Sequence, residues 1–476
     1  MSGGPQPFYV VPGEPLQRRL LLVSYHFPPG TAVGGLRWQK FAAFAAERGW
    51  GLDVITADPA QLPARDDARL ADLPPGTRVF GVARPRVWRL QLEDWMRRRL
   101  RRRLTEVASP GAGGSGRPGM PGSFARAELH WWPHSLRDLV RARDAWRGYG
   151  ADGLWAHAVT RLGLELARER RYLACVTSGP PHMSHEAGRR LHTAAGLAHV
   201  MDMRDPWSQV ERVVEHVASP LWCTLAWRHE RRAIATASLV VMNTVPAAAT
   251  MRAAHPEASG RIIAVPNGFD EEPVPVVARD RAFVIAYAGS IYLDRDPRPL
   301  LKAVAQVIAE RRLTPEDIRL EFMGQVEGQP VAEVAAEEGV GPFLRWRPPA
   351  SRKTAMEFQA GATMLVCLYQ DSRLAIPAKV YEYMLFDAWL LVLADPGSGT
   401  ADLLAGTDAD VLRPADTEAI AAAISRHYAE YRAGVTPQRL ARQARFSRRT
   451  QADILFGAIE RLPAARAALA GGGATD

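Results

Sequence analysis

Lysine is nearly absent from this chain. Only Lys40, Lys302, Lys353 and Lys379 are lysines among 60 basic residues, so arginine is the default cation. A lysine kept in such a background is wanted as a compact charge on a flexible stem. Cysteine is equally scarce. Cys175, Cys223 and Cys367 stand apart among apolar neighbours with no Cys-x-x-Cys spacing, which excludes a disulfide framework and fits buried free thiols in a reducing cytoplasm. No apolar run is long enough to span a bilayer. Residues 1–15 lack the basic region and apolar core of a signal peptide. The expectation is a cytoplasmic protein, soluble or peripheral at the inner face of the membrane.

What is present is the material of large cores: 476 residues, 47% hydrophobic and 23% charged. That length calls for two domains of ordinary size. The formal net charge of +9 favours anionic partners such as nucleotides, lipid head groups or nucleic acid. The basic residues are spread out, however, and no helix-turn-helix, zinc or RNA-recognition pattern is there to read bases, which argues against nucleic acid.

Apolar strands alternate with amphipathic helices along the chain. Strands are expected at 19–24, 52–56, 174–177, 199–203, 238–242 and 261–265, then at 283–288, 319–323, 343–346, 363–367 and 390–394. Continuous apolar strands separated by helices indicate parallel sheets covered on both faces. The expected division is a disordered tail (1–17), a Rossmann-like domain (18–270) with a mobile loop (105–125), and a linker (271–278). A second Rossmann-like domain (279–435) follows, then a segment (436–462) whose helix, at about 437–446, crosses back to the first domain, and a tail (463–476). The fold class is α/β, two Rossmann-like domains facing each other across a cleft.

Ligands of parallel sheets gather at the carboxyl ends of strands. There, Pro377-Ala378-Lys379-Val380-Tyr381-Glu382-Tyr383-Met384 sets a lysine and a carboxylate at a helix start. A lysine neutralises phosphate and a carboxylate holds ribose hydroxyls, although a solvated lysine and a helix-start glutamate would read the same way. Gly34-Gly35 opens the helix after the first strand and lets backbone N–H groups approach an anion, or forms a plain tight turn. Gly289-Ser290 with Arg295 ahead of Pro297 forms a second candidate phosphate turn. His182 and His185 lie one helical turn apart after Ser178-Gly179-Pro180-Pro181. They suit hydrogen bonding to a polar substrate or a structural role, and as metal ligands they lack a third. Asp202-Met203-Arg204-Asp205-Pro206-Trp207 brings two carboxylates around an arginine at a strand end, either as a structural pair or with Asp205 or Asp202 facing an acceptor hydroxyl.

Together with Ser24-Tyr25-His26-Phe27-Pro28-Pro29 and Val265-Pro266-Asn267-Gly268-Phe269-Asp270, these pieces resemble, in order and spacing from Leu20 to about Arg445, the GT-B fold, family 4-type retaining glycosyltransferases. The resemblance implies a nucleotide-sugar donor on the C-terminal half and a glycan, lipid-linked or small-molecule acceptor on the N-terminal half. The donor contacts would come from Gly34, Gly35, Gly289, Ser290, Arg295, Lys379, Val380 and Glu382, with Glu382 on the ribose and Arg295 and Lys379 on the diphosphate. Asp205, His185 and Asp202 are the candidate catalytic residues, and His182, Arg204 and Trp207 the acceptor contacts. No metal and no cofactor beyond the nucleotide sugar are implied, and the departing phosphate itself would take the acceptor proton.

Three positions depart from the pattern. Leu374 stands where relatives carry a first glutamate, Ser290 where they often carry arginine, and Asp387-Ala388-Trp389 replaces Gly-Lys-Pro. They keep open a catalytically inactive nucleotide-sugar-binding relative, beside a sugar-nucleotide epimerase of similar fold. The stretch 95–104, six arginines among tryptophan, methionine and leucines, suits an anionic membrane surface, an acidic partner or plain solvent.

Overall fold

The computed structural model describes residues 5–13, 16, 18–84, 123–125, 136–291, 295–368, 373–463 and 465–466. The basic stretch 95–104 and most of the loop expected at 105–125 lie outside them. The strands, in chain order, are β1 (Tyr9–Val10), β2 (Arg18–Ser24), β3 (Trp50–Ala57), β4 (Arg78–Val82), β5 (Ser123–Ala125), β6 (Ala174–Gly179), β7 (His199–Met203), β8 (Arg212–Val214), β9 (Leu239–Met242) and β10 (Ile262–Ala264). The second half adds β11 (Phe283–Ala288), β12 (Ile318–Met323), β13 (Leu344–Arg347), β14 (Met364–Cys367), β15 (Trp389–Leu393) and β16 (Asp410–Leu412).

Fourteen of them form two large sheets, and β5 and β8 pair separately. The first has the order β1-β4-β3-β2-β6-β7-β9-β10 and the second β13-β12-β11-β14-β15-β16. Within these two sheets all pairings are parallel except β1 on β4. The central strands are buried on both faces. Leu20, Leu21, Leu22 and Val23 are all inaccessible, because helices cover the sheet above and below. The fold is therefore two Rossmann-like α/β domains, as the alternating pattern predicts.

Three expectations are corrected. Residues 8–11, assigned to a disordered tail, are pinned to the sheet edge: Phe8 N donates to Val79 O, Tyr9–Val10 pairs with β4, and Val11 N donates to Thr77 O. The unpaired edge of β4 supplies the template. The end of the loop expected at 105–125 is strand β5, antiparallel to β8. The crossing helix is Arg448–Glu460 rather than 437–446, where two 3-10 turns stand (Leu440–Arg442 and Ala444–Phe446). Ser447 decides the start, its hydroxyl accepting from Thr450 N.

That helix belongs to the core of the first domain. Ala452, Leu455, Phe456 and Ile459 pack with Trp38, Phe41 and Trp50, and the Phe456 ring lies 5.4 Å from that of Trp50. The crossing point is tight: a Cβ on Gly268 would stand 2.4 Å from Arg448 N. Arg448 also reaches Asp270 at 2.5 Å and Gly268 O at 2.9 Å. Among the described residues no helix is long and apolar enough to cross a membrane.

Candidate functional site

On the second domain, the carboxyl ends of β11 and β12 turn on glycines. Gly289 has φ +147° and Gly324 φ +151°, values that L side chains rarely adopt. The space is closed as well. A Cβ on Gly324 would stand 2.1 Å from Gly289 O, and a Cβ on Gly289 2.2 Å from Lys379 Nζ. Tyr383 sets this turn, its hydroxyl accepting from Ala288 N at 2.9 Å and donating to Ala288 O at 3.1 Å.

Lys379 projects from the first turn of the helix Ala378–Tyr383. Its ammonium lies 3.9 Å from the centre of the Tyr287 ring and is buried without a hydrogen-bond partner among the described residues. Burial, aided by Arg295 and opposed by Cys367 and Glu382, pushes its pKa down to about 8. A buried ammonium held by a ring face alone is under-satisfied, and an anion is the group that would complete it. Arg295 donates to Ser290 O at 3.1 Å, which also accepts from Tyr287 OH at 2.9 Å. Arg295 further borders a cavity of about 340 Å³ with Ile291, Pro297, Arg298 and Gln329. The structure thus brings Gly289, Ser290, Arg295 and Lys379 together.

Two donor candidates need qualification. Val380 is fully buried in the apolar cluster of the second domain, so its side chain serves the core and does not reach the cleft. Glu382 is half-buried and already engaged, its Oε1 accepting from Gln359 Nε2 at 2.7 Å and its Oε2 from Arg352 Nη1 at 2.9 Å. Neither partner was legible in the sequence, because both come from the helix Arg352–Ala360, more than twenty positions away.

On the first domain, Gly34 and Gly35 lie in a single 3-10 turn ahead of the helix Leu36–Glu47. Arg204 fills the room that the missing side chain of Gly34 leaves, its Nη1 standing 1.9 Å from where a Cβ would be, and its Nη2 donates to Pro180 O. His26 was not singled out from sequence. It stands at the end of β2, where burial and Arg204 push its pKa down to about 4, so the ring is neutral near pH 7. His182 stacks on Trp207 at 5.2 Å between ring centres, and Trp207 donates its indole N–H to Tyr149 OH at 2.9 Å. These two line a pocket of about 240 Å³ with Tyr149, Pro180, Pro181 and Trp222. Burial and Arg204 hold His182 down to about 3.

Asp202 and His185 do not reach this space. Asp202 is fully buried and takes hydrogen bonds from Arg37 Nη2 at 3.1 Å, Trp38 Nε1 at 2.7 Å and Ser178 Oγ at 3.3 Å. Arg37 continues to Val265 O and Asn267 Oδ1, so the carboxylate ties the sheet to the segment that leaves the domain. His185 is equally buried, its Nδ1 paired with Thr177 Oγ1 at 2.8 Å, and burial holds its pKa well below the usual histidine value. Neither of these two candidate catalytic side chains lines the pocket of His182 and Trp207, since both are buried. Asp205 differs. Its side chain reaches solvent and no hydrogen bond joins its carboxylate among the described residues, yet protein packed around it desolvates the carboxylate and raises its pKa against the pull of Arg204.

The two halves meet at the departure noted in the sequence. Leu374 packs against the first-domain cluster of Met203, Trp207 and Met242, and its carbonyl accepts from Thr244 Oγ1 at 2.6 Å. Arg373 N donates to Glu211 Oε2 at 2.7 Å. The two domains are therefore in contact at Arg373 and Leu374. Among the described residues no three His, Cys, Asp or Glu side chains cluster as a metal site requires.

No sequence family and no curated protein matches the chain. Solved structures do match its fold over nearly the whole length. Sucrose-phosphate synthase from Thermosynechococcus elongatus superposes with a TM-score of 0.55 at 14% identity, covering 96% of this chain and 100% of that one. The lipopolysaccharide outer core galactosyltransferase WaaB gives 0.53 at 13%, covering 93% and 99%. The trehalose 6-phosphate synthase of Burkholderia multivorans gives 0.53 at 14%, covering 97% and 99%. The chain has the GT-B fold that these proteins share.

Proposed function

We propose that this protein is a glycosyltransferase that moves a sugar from a nucleoside-diphosphate sugar to an acceptor hydroxyl, with retention of anomeric configuration and without a metal. The observation that carries this reading is the buried, unpaired ammonium of Lys379 beneath the Gly289 turn. A diphosphate brings the negative charge that this ammonium and Arg295 together neutralise, which is the work a metal ion does elsewhere. Glu382 would hold the ribose. The fold similarity to sucrose-phosphate and trehalose 6-phosphate synthases and to a galactosyltransferase supports the class.

The acceptor would enter from the first domain, along the pocket lined by His182 and Trp207. In the proposed step the bond from the anomeric carbon to the phosphate oxygen breaks while the bond to the acceptor oxygen forms on the same face. The acceptor proton passes to the departing phosphate oxygen. Asp205 would accept a hydrogen bond from the acceptor and orient it, a positioning role that needs no proton transfer. The neutral His26 would serve as a further polar contact.

A thermal-shift panel of UDP, GDP, dTDP and ADP sugars, run with and without EDTA, tests the reading, since a ligand bound only by the native state raises the melting temperature. Stabilisation by one nucleotide series, equal with EDTA, is expected. A flat panel would count against the donor site. A catalytically inactive nucleotide-sugar-binding relative is the second reading, favoured by Leu374 at the domain contact where relatives carry a carboxylate. Turnover of any donor sugar excludes it.

A further inference from the structure

The carboxylate assigned to the donor ribose already has partners on this chain. Gln359 and Arg352 occupy its two oxygens. Arg352 does not end there. Its Nη2 donates to Glu272 Oε2 at 3.0 Å, in the segment joining the domains, while Glu272 Oε1 accepts from Lys40 on the helix Leu36–Glu47 of the first domain. One continuous row of charges thus runs from the first domain to the donor carboxylate: Lys40, Glu272, Arg352, Glu382.

We infer that Arg352 is a positioning residue shared between Glu382 and Glu272, so that seating of a donor ribose on Glu382 is coupled to the contact between the domains. This rests on the reading of Glu382 as the ribose carboxylate. Arg352 takes an acceptor site on Glu382 Oε2 for which a ribose diol would compete. A guanidinium is suited to the exchange because its two Nη groups address two carboxylates at once, which an ammonium does not do in fixed geometry. Released from Glu382, Arg352 keeps its hold on Glu272 and competes there with Lys40. Burial would raise the Glu272 pKa, but Lys40 and Arg352 hold it below the ordinary carboxylate value, so Glu272 stays anionic to receive both. Arg352 is 42% exposed and Glu382 26%, so water reaches the pair and the exchange costs little. Lys40 is one of only four lysines in the chain, and this row gives it a task.

The test is equilibrium binding of the nucleoside diphosphate that the wild-type protein prefers, measured with EDTA present. Arg352→Met is expected to bind it about two- to fivefold more tightly, because an exposed ion pair competing for Glu382 is gone. Glu272→Gln is expected to bind it more weakly by a similar factor, because Arg352 then rests on Glu382 alone. The double variant should match Arg352→Met, since Glu272 acts only through Arg352. A merely structural role predicts no gain of affinity and no such masking. Weaker or unchanged binding by Arg352→Met, or an effect of Glu272→Gln that persists without Arg352, overturns the inference while leaving the donor site standing. Failure of every nucleoside diphosphate to bind wild-type protein overturns the donor site and this inference with it.

Discussion

A methyl group at Gly289 would stand 2.2 Å from Lys379 Nζ. The turn after β11 and the lysine are thus fitted to one another, the glycine leaving just the room that the ammonium occupies. Gly289→Ala is expected to lose nucleoside-diphosphate binding and to lower stability by about 1–3 kcal/mol, because φ +147° is strained for alanine and Lys379 must move. Thermal unfolding with and without nucleotide reads both effects, and unchanged nucleotide stabilisation in this variant would separate the turn from the site.

Lys379 carries a cost in the empty protein. Replacing it by methionine should abolish nucleotide stabilisation and also raise the melting temperature of the ligand-free protein, worth about 1–3 kcal/mol near pH 7. The folded pKa of about 8 lies below the ordinary 10.5, so the charged ammonium destabilises the native state below pH 8, and the penalty is relieved as pH rises from 8 toward 10.5. The gain from Lys379→Met should fade over that window. A variant less stable than wild type at pH 7 would contradict the burial argument.

Nucleotide binding should follow the same group with its own sign. The protonated form binds the diphosphate, so affinity is maintained below pH 8 and declines as pH rises past it. Titration calorimetry between pH 6.5 and 9.5 checks this. Affinity flat across the range, in a protein that does bind, would mean that Lys379 does not touch the phosphates.

The two aspartates that flank Met203 and Arg204 are expected to behave oppositely. Asp202→Asn breaks a buried pair with Arg37 and should cost about 3–5 kcal/mol of stability. Asp205→Asn should keep the wild-type melting temperature and lower kcat/KM for the acceptor by about 10- to 100-fold, the worth of a hydrogen bond to a charged group. Chemical unfolding and steady-state kinetics on both variants distinguish them, and equal melting temperatures for the two would remove the distinction drawn from burial.

Much of this was legible in local pattern. The eleven strands read from apolar runs are all present. So is the helix after Gly34-Gly35, since Trp38, Phe41, Ala42 and Ala45 recur on one buried face. Of the strands that went unread, β1, β5, β8 and β16 are two or three residues long, while β4 is a five-residue strand next to the β1 edge. Beside a sheet edge, pairing partners rather than apolar content make a strand, and the partner of β1 lies about seventy positions away.

The sequence by itself determined that two parallel sheets would form and which chemistry stands at their strand ends, because both follow from short-range spacing: Lys379 and Glu382 in one helical turn, Gly289 after an apolar strand. Only the tertiary structure decided which of those groups are free to act. Asp202 and Asp205 are three positions apart and chemically identical, yet one is saturated by Arg37 and Trp38 while the other is exposed. The difference is made by side chains more than 160 positions away, and burial, charge compensation and hydrogen-bond satisfaction are properties of the packed chain rather than of any stretch of it.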